Sequence, residues 1–144
     1  VADRLIISIP FIDDAIPAIR RLSADGLQVA ATLIYSAAQG ILAAHAGASM
    51  VTVSVDALDA VGTDGHAVLE ELRAAFDHSA AECDVAAAGP SSASSFATAA
   101  MVGADVAIVA PDVLRALIQH PLTDRGLDRF LGAISRRPRG KRSK

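Results

Sequence analysis

The sequence predicts an α/β domain built around a parallel sheet. Short apolar runs alternate with longer stretches of helical period along the 144 residues. The best-defined strand, helix and strand follow one another in fewer than thirty residues, which is typical of a parallel βαβ unit. Considered on these elements alone, a doubly wound, flavodoxin-like sheet is one possible arrangement.

This βαβ unit covers residues 29–55 and is the best-defined part of the predicted fold. Residues 29–35 are apolar and too few for a core helix, which indicates a strand covered on both faces. Ser36 can cap a helix over residues 37–46, and Gly47 can end it in a left-handed conformation. A second strand follows at residues 50–55, and the crossover is expected to be right-handed. The residues at helical spacing in this helix are Ile41, Leu42 and His45.

The same patterns predict the remaining elements in chain order. Strands are expected over residues 5–9, 84–88 and 105–109. Helices are expected over residues 13–24, 65–81, 91–102, 111–119 and 122–134. The helix over 65–81 carries one apolar face, formed by Val68, Leu69, Leu72 and Phe76. The alanine-rich helix over 91–102 is expected to be buried.

Composition narrows the functional classes. The hydrophobic fraction is 52% and the mean hydropathy is +0.40, but much of this is alanine and no apolar run reaches the length of a membrane helix. The first residues do not have the pattern of a signal peptide. Cys83 is the single cysteine, which excludes an intrachain disulfide and a cysteine-based metal cluster. These features predict a reduced, cytoplasmic protein without a metal or cofactor.

One motif resembles a known family. The segment Thr-Leu-Ile-Tyr-Ser-Ala-Ala-Gln at residues 32–39, followed by Ala-Gly-Ala at 46–48, resembles the fifth βα unit of transaldolases and fructose-6-phosphate aldolases. The likeness extends from about residue 5 to about residue 130. It implies a partial TIM barrel of the class I aldolase type, strands four to eight, in residues 1–135. It also implies a role in carbohydrate metabolism, in the pentose phosphate reactions.

A complete barrel of this class needs about 200 residues or more. The chain begins at Val1 and enters a strand almost at once, so we expect a fragment or a shortened homologue. An isolated set of five barrel strands would leave two unpaired edges, and we therefore expect a homo-oligomer.

The resemblance also implies the chemistry, and here the sequence departs from the family. These enzymes use a lysine on the fourth strand that forms a Schiff base with a ketose, and Ser8 occupies its position. A hydroxyl cannot form an iminium ion, and the only lysines are Lys141 and Lys144 near the end of the chain. We therefore expect a truncated, catalytically inactive relative. One alternative is a fragment of an active enzyme that missing N-terminal units or a partner chain complete. The other is a flavodoxin-like module that binds a small ligand.

Other positions of the implied pocket have changed as well. Thr32 matches a threonine that helps to hold the catalytic water, although it can equally serve as an ordinary strand residue. Ser54 stands where the aldolase branch has a tyrosine. Ala57, beside Asp56, replaces an arginine for the sugar phosphate, and Gly89 replaces a phosphate-binding serine. We expect at most weak binding of a sugar phosphate or small anion.

A residual anion site is conceivable at the start of the helix over 91–102. Ser91 and Ser92 follow Gly89 and Pro90, and free backbone N–H groups there can bind an anion. The alternative is that Ser91 or Ser92 caps the helix. The four histidines show no metal-ligand spacing, and His78 is expected to serve the end of its helix.

The C-terminal segment differs from the rest in charge. Residues 136–144 hold six of the thirteen basic residues, and all sixteen acidic residues precede them. Such a tail can bind nucleic acid, but no aromatic residue is interleaved for base stacking. We therefore predict a disordered basic tail that does not bind nucleic acid.

Overall fold

The computed structural model describes residues 5–135, which form five strands and seven helices. The strands are β1 (Ile6–Pro10), β2 (Gln28–Ile34), β3 (Met50–Ser54), β4 (Asp84–Ala88) and β5 (Val106–Ile108). The helices are α1 (Ala15–Ala24), α2 (Ala37–His45), α3 (Val55–Ala60), α4 (Gly65–Ser79), α5 (Ala93–Met101), α6 (Pro111–Ala116) and α7 (Pro121–Ser135). The predicted tail, residues 136–144, lies outside the described residues.

The sheet order is β1-β2-β3-β4-β5, and every neighbouring pair is parallel. Each strand therefore pairs with the next strand in the chain. A doubly wound sheet instead reverses its strand order at a switch point near its centre. Sequential parallel winding is the arrangement of a (β/α)8 barrel, so the chain forms part of such a barrel and the flavodoxin-like alternative is wrong.

The main core lies between the sheet and the helices. Alternate residues of the inner strands, such as Val51 and Val53, are fully buried on this side. The helices contribute Ile19, Ala43 and Phe76 to the same cluster. The β-branched residues favour the strands, and their burial against the helices supplies the main apolar stabilisation.

The opposite face of the sheet is the concave face. Ala30, Thr52 and Ala86 are buried but do not belong to the helix-side cluster. Their neighbours in the register, Ser8 and Val106, are exposed on the edge strands. In the described residues this face therefore lacks the side chains that fill a closed barrel.

The helix α2 buries small residues, Gly40 and Ala43. Of the three residues noted at helical spacing, Ile41 packs against the core while partly buried, and Leu42 and His45 are exposed. The reason lies in α4, because a β-carbon at Gly40 would lie only 2.7 Å from Cδ1 of Leu72. The small residues thus turn inward so that α4 can approach closely.

Three further predictions can be compared with the structure. The strand β3 ends at Ser54, and Val55–Ala60 form the short helix α3, which the sequence pattern did not predict. The helix α5 buries only Ala99, so the expectation that it is buried is wrong. The predicted apolar face of α4 is confirmed, since Val68, Leu69, Leu72 and Phe76 are all buried.

The last two helices bury none of their residues against the rest of the described chain. The helix α7 nevertheless carries large apolar side chains, all of them exposed: Leu122, Leu127, Phe130, Leu131 and Ile134. In residues 5–135, no helix is long and apolar enough to span a bilayer.

Truncation of Leu72, whose side chain packs α4 against α2, should destabilise the fold. Leu72 is fully buried, so Leu72→Ala should lower the free energy of unfolding by about 2–5 kcal/mol, from lost transfer energy and a residual cavity. The matched control is Leu42→Ala in α2, where 54% of the side chain is exposed and a change within about 0.5 kcal/mol is expected. Urea denaturation of both variants measures the difference. Equal losses would contradict the core described above.

Candidate functional site

The predicted pocket positions gather at the end of the sheet where the strands stop. Ser8 pairs with Ala30 in the register, and Thr32 lies two residues further along β2 on the same face. Ser54 ends β3 and pairs with Ala88, the residue before Gly89. In a (β/α)8 barrel this carboxyl end carries the functional residues. The segments that follow the carboxyl ends of the strands, residues 11–14, 35–36, 55–64, 89–92 and 109–112, are called the mouth below.

The hydroxyl groups of Ser8, Thr32 and Ser54 therefore belong to the concave face. Ser8 is exposed, whereas Thr32 and Ser54 are half-buried. Ala57 lies apart from them, as the third residue of α3. The structure thus brings four of the five predicted pocket positions to one region and places Ala57 just beside it. Hydroxyls on a concave surface can bind a polyol by hydrogen bonds, but none of them is an amine.

A β-bulge lies directly after Thr32. The pairing of β2 with β3 shifts register between Ala31 and Ile34, and Leu33 has a φ of +58°. A leucine in this left-handed region is uncommon and costs about 1–3 kcal/mol, which the surrounding structure must offset. The bulge exposes Leu33 and Tyr35 at the mouth.

The motif that carries the family resemblance forms the turn from β2 into α2. The Ser36 hydroxyl accepts a hydrogen bond of 3.3 Å from the backbone N–H of Gln39. The Gln39 side-chain oxygen in turn accepts one of 2.9 Å from the backbone N–H of Tyr35. The predicted cap at Ser36 is confirmed, and the two bonds resemble a capping box. Gly47 has a φ of +102° and ends the helix as predicted.

Asp56 and Gly89 form a close contact between neighbouring strand ends. A β-carbon at Gly89 would lie 2.5 Å from Oδ1 and 2.6 Å from Oδ2 of Asp56, so the carboxyl group occupies the space beside this glycine. Gly89 also has a φ of +79°, which a side chain rarely tolerates. Asp56 Oδ1 accepts a hydrogen bond of 2.8 Å from the backbone N–H of Ala57. The contact fixes a carboxylate at the mouth.

The start of α5 is capped by a serine. The Ser92 hydroxyl accepts a hydrogen bond of 3.1 Å from the backbone N–H of Ser95, which confirms the capping alternative for this residue. Ser91 is exposed immediately before it. Anion binding by Ser91 and Ser92 stays a prediction.

A group of three polar residues at the start of α4 has no counterpart among the sequence predictions. Possible ligand atoms of Asp59, Asp64 and His66 lie within 4.8 Å of one another. Backbone contacts account for this arrangement, because Asp64 Oδ1 accepts the N–H of His66 at 2.9 Å and Asp59 Oδ1 accepts the N–H of Gly65 at 3.1 Å. His66 Nε2 lies 3.0 Å from the carbonyl oxygen of Ser95, which joins α4 to α5. The group serves as a helix cap and a helix-to-helix link.

His78 lies in the last turn of α4, where its Nδ1 is 2.7 Å from the carbonyl oxygen of Ala74. This contact agrees with the predicted role at the helix end.

Three cavities lie away from the mouth. One of about 280 Å³ lies between α2 and α4, and its lining includes Phe76, Cys83 and the polar residues His45 and Glu82. Others of about 390 and 460 Å³ lie near the amino ends of β3 and β4 and beside β5. None of the three is lined by Ser8, Thr32, Ser54 or Gly89. The concave face is an open surface in the described residues.

Comparison with known proteins points to one family. Residues 1–137 match the family described as Transaldolase/Fructose-6-phosphate aldolase. A protein of Bartonella tribocorum described as a probable transaldolase is 44% identical over 131 residues, and one of Rhizobium meliloti is 40% identical over the same length. Each match covers 91% of this chain and 60% of the relative, so the chain spans about three fifths of the length of these relatives.

Two solved structures are similar in fold alone. A crystal structure of a mandelate oxidase variant aligns with a TM-score of 0.51 and 24% identity, covering 65% of this chain and 29% of the other. A cube-shaped protein cage designed by fusing symmetric oligomeric domains aligns with a TM-score of 0.55 and 21% identity, covering 72% of this chain and 34% of the other.

Cys83 is remote from the mouth, at the amino end of β4. Burial, together with the nearby carboxylates of Asp84 and Asp105, raises the pKa of its thiol to about 11, while Arg73 opposes the shift. A thiol held protonated near neutral pH is a poor nucleophile. Cys83 is therefore a packing residue of the cavity between α2 and α4.

The raised pKa predicts slow alkylation of Cys83. At pH 8.5 a thiol of pKa about 11 has roughly 10²-fold less thiolate than one at its usual value of 9.0, so iodoacetamide should label the native protein at least that much more slowly than the urea-unfolded protein. Because the folded pKa lies above the unfolded one, its contribution to stability should be complete below pH 9 and should fall as pH rises through about 11. Mass spectrometry of the labelled protein gives the rates. Equal rates in both states would contradict the assignment.

Proposed function

Because the chain belongs to the transaldolase/fructose-6-phosphate aldolase family, we propose that it is a transaldolase-like protein of carbohydrate metabolism that forms no Schiff base of its own. The supporting observation is Ser8, which lies on β1 at the position where the family resemblance implies the lysine. A Schiff base needs an amine that is neutral at working pH, and residues 5–135 contain no lysine. Guanidinium groups do not substitute, since arginine stays protonated.

The concave face retains hydrogen-bonding groups without the nucleophile. Ser8, Thr32 and Ser54 present hydroxyls on one face, where they can contact the hydroxyl groups of a sugar. A site of this kind can bind and orient a polyol, but it cannot split the carbon–carbon bond through an enamine. We therefore propose a ligand-binding or assembly role for these residues.

The second candidate is an active enzyme completed by further strands. The chain spans about three fifths of the length of its relatives, and β1 and β5 each have one unpaired edge in the described residues. The strands that close the barrel would then need to supply a lysine whose amine reaches the mouth. In that case the residues described here provide the carboxyl-end scaffold and not the nucleophile.

We also propose that a second copy of the chain covers the open edges of the sheet. Ile6 on β1 and Ile108 on β5 are about half exposed, and α7 exposes five large apolar side chains. An edge strand with apolar exposure favours pairing with a second chain.

The proposal that the chain forms no Schiff base predicts that borohydride traps no substrate adduct on the wild-type protein. Incubation with dihydroxyacetone and sodium borohydride should add no stoichiometric mass to residues 1–140, because no lysine lies there. A lysine-dependent aldolase of the same family serves as the positive control. Peptide mapping that places a stoichiometric adduct in residues 1–140 would refute the proposal.

The variant Ser8→Lys separates loss of the nucleophile from loss of the site. It puts an amine on the concave face, and borohydride should then trap an adduct on the introduced amine in at least part of the protein. Cleavage of fructose 6-phosphate should stay at background, since catalysis needs reacting groups held in near-attack geometry and the mouth holds no phosphate-binding arginine. Turnover by this variant within tenfold of the control aldolase would show that the remaining site is complete.

The assembly proposal predicts a dimer or a larger complex at micromolar concentration. Multi-angle light scattering gives the mass directly, and Phe130→Asp in α7 should shift the distribution towards monomer if that helix contributes. The control is Val61→Asp, on the exposed loop after α3. A monomeric wild type would contradict the proposal.

A further inference from the structure

Acidic residues line the mouth. The mouth contains six aspartates and neither lysine nor arginine: Asp13, Asp14, Asp56, Asp59, Asp64 and Asp112. Arg73, by contrast, lies at the opposite end, where it pairs with Asp77 at 2.8 Å and Asp105 at 3.3 Å. The six aspartates give these segments a negative formal charge, which opposes the approach of a dianionic ligand.

Asp56 is the mouth aspartate whose carboxyl group lies beside a possible anion site. Its carboxyl group fills the space next to Gly89, two residues before the exposed serine Ser91. The backbone N–H of Ala57 holds Oδ1, and the left-handed conformation of Gly89 excludes a side chain that would push the carboxylate away. Asp56 and Gly89 thus depend on each other for this placement.

We propose that Asp56 is a specificity-determining residue that excludes phosphorylated ligands from the mouth, so that the site takes unphosphorylated polyols. The inference rests on the proposed function for the location of the site. It departs from what the family resemblance implies, because a carboxylate occupies the region expected to bind phosphate. A neutral hydroxyl can donate a hydrogen bond to this carboxylate, whereas an ionised phosphate oxygen cannot and is repelled by its charge.

The Asn substitution isolates the charge. Asp56→Asn keeps the shape and the oxygen that accepts the Ala57 N–H, but it removes one negative charge from the space beside Gly89. The matched control is Asp25→Asn, which makes the same charge change in the exposed turn after α1, at the far end of the sheet. Asp56→Ala is a second variant, and thermal melting checks that all three are folded.

The probe is inorganic phosphate, which is titrated into the full chain at fixed ionic strength. NMR monitors its binding through the amide chemical shifts of Gly89, Ser91 and Ser92. Wild type and Asp25→Asn should show no saturable shift below about 50 mM, whereas Asp56→Asn should bind about tenfold more tightly or better, from one unit charge removed near a dianion. Asp56→Ala should behave like Asp56→Asn.

Two outcomes of the phosphate titration would overturn the proposal. One is saturable phosphate binding by wild type at these amides, and the other is equal phosphate affinity in Asp56→Asn and Asp25→Asn. A matching titration with fructose should shift the wild-type amides of the concave face, and its absence would overturn the assignment of unphosphorylated polyols. The trapping experiment reports separately on the Schiff base, so failure of the phosphate test leaves that result unchanged and the two claims remain distinguishable.

Discussion

Sequential parallel pairing is the constraint on which the rest of the structure depends. Because each strand pairs with the next one in the chain, every crossover helix packs on the same side of the sheet, and every strand ends at the same mouth. The helices therefore bury one face of the sheet, through residues such as Val51 and Phe76, and leave the other concave. This winding brings Ser8, Thr32 and Ser54 onto one face, although they are far apart in the chain.

The sequence predicted the elements whose signals are local. The strand over 29–35 and the cap at Ser36 depend on neighbouring residues, and both are present in the structure. The helical spacing of Ile41, Leu42 and His45 did not indicate that Gly40 is buried, because the close approach of Leu72 decides this position. The short helix α3 has too few residues for a periodic pattern. The sequence pattern misses a structural feature of this kind where a contact between distant residues, and not the local sequence, decides which residue is buried.

In the candidate site, too, the sequence indicated residue types but not the contact between two strand ends. The sequence indicated that Ser8 replaces a lysine and that an acidic residue stands beside Ala57. It did not indicate that the carboxyl group of Asp56 fills the space at Gly89, since that contact joins the ends of two different strands. The sequential parallel winding is that of a (β/α)8 barrel, whereas the proposed absence of the catalytic amine at Ser8 belongs to a mouth in which a carboxylate lies beside Gly89. Retained fold and altered chemistry are compatible, because function depends on the site and not on the barrel.

The central claim is that this mouth does not activate a ketose through an enamine. The most direct measurement is exchange of the carbon-bound protons of dihydroxyacetone with deuterated water, followed by proton NMR, because enamine formation labels that carbon even when no carbon–carbon bond is made. Wild type should exchange these protons no faster than buffer, and no faster than Ser8→Ala. Saturable exchange by wild type, lost in Ser8→Ala, would contradict the claim.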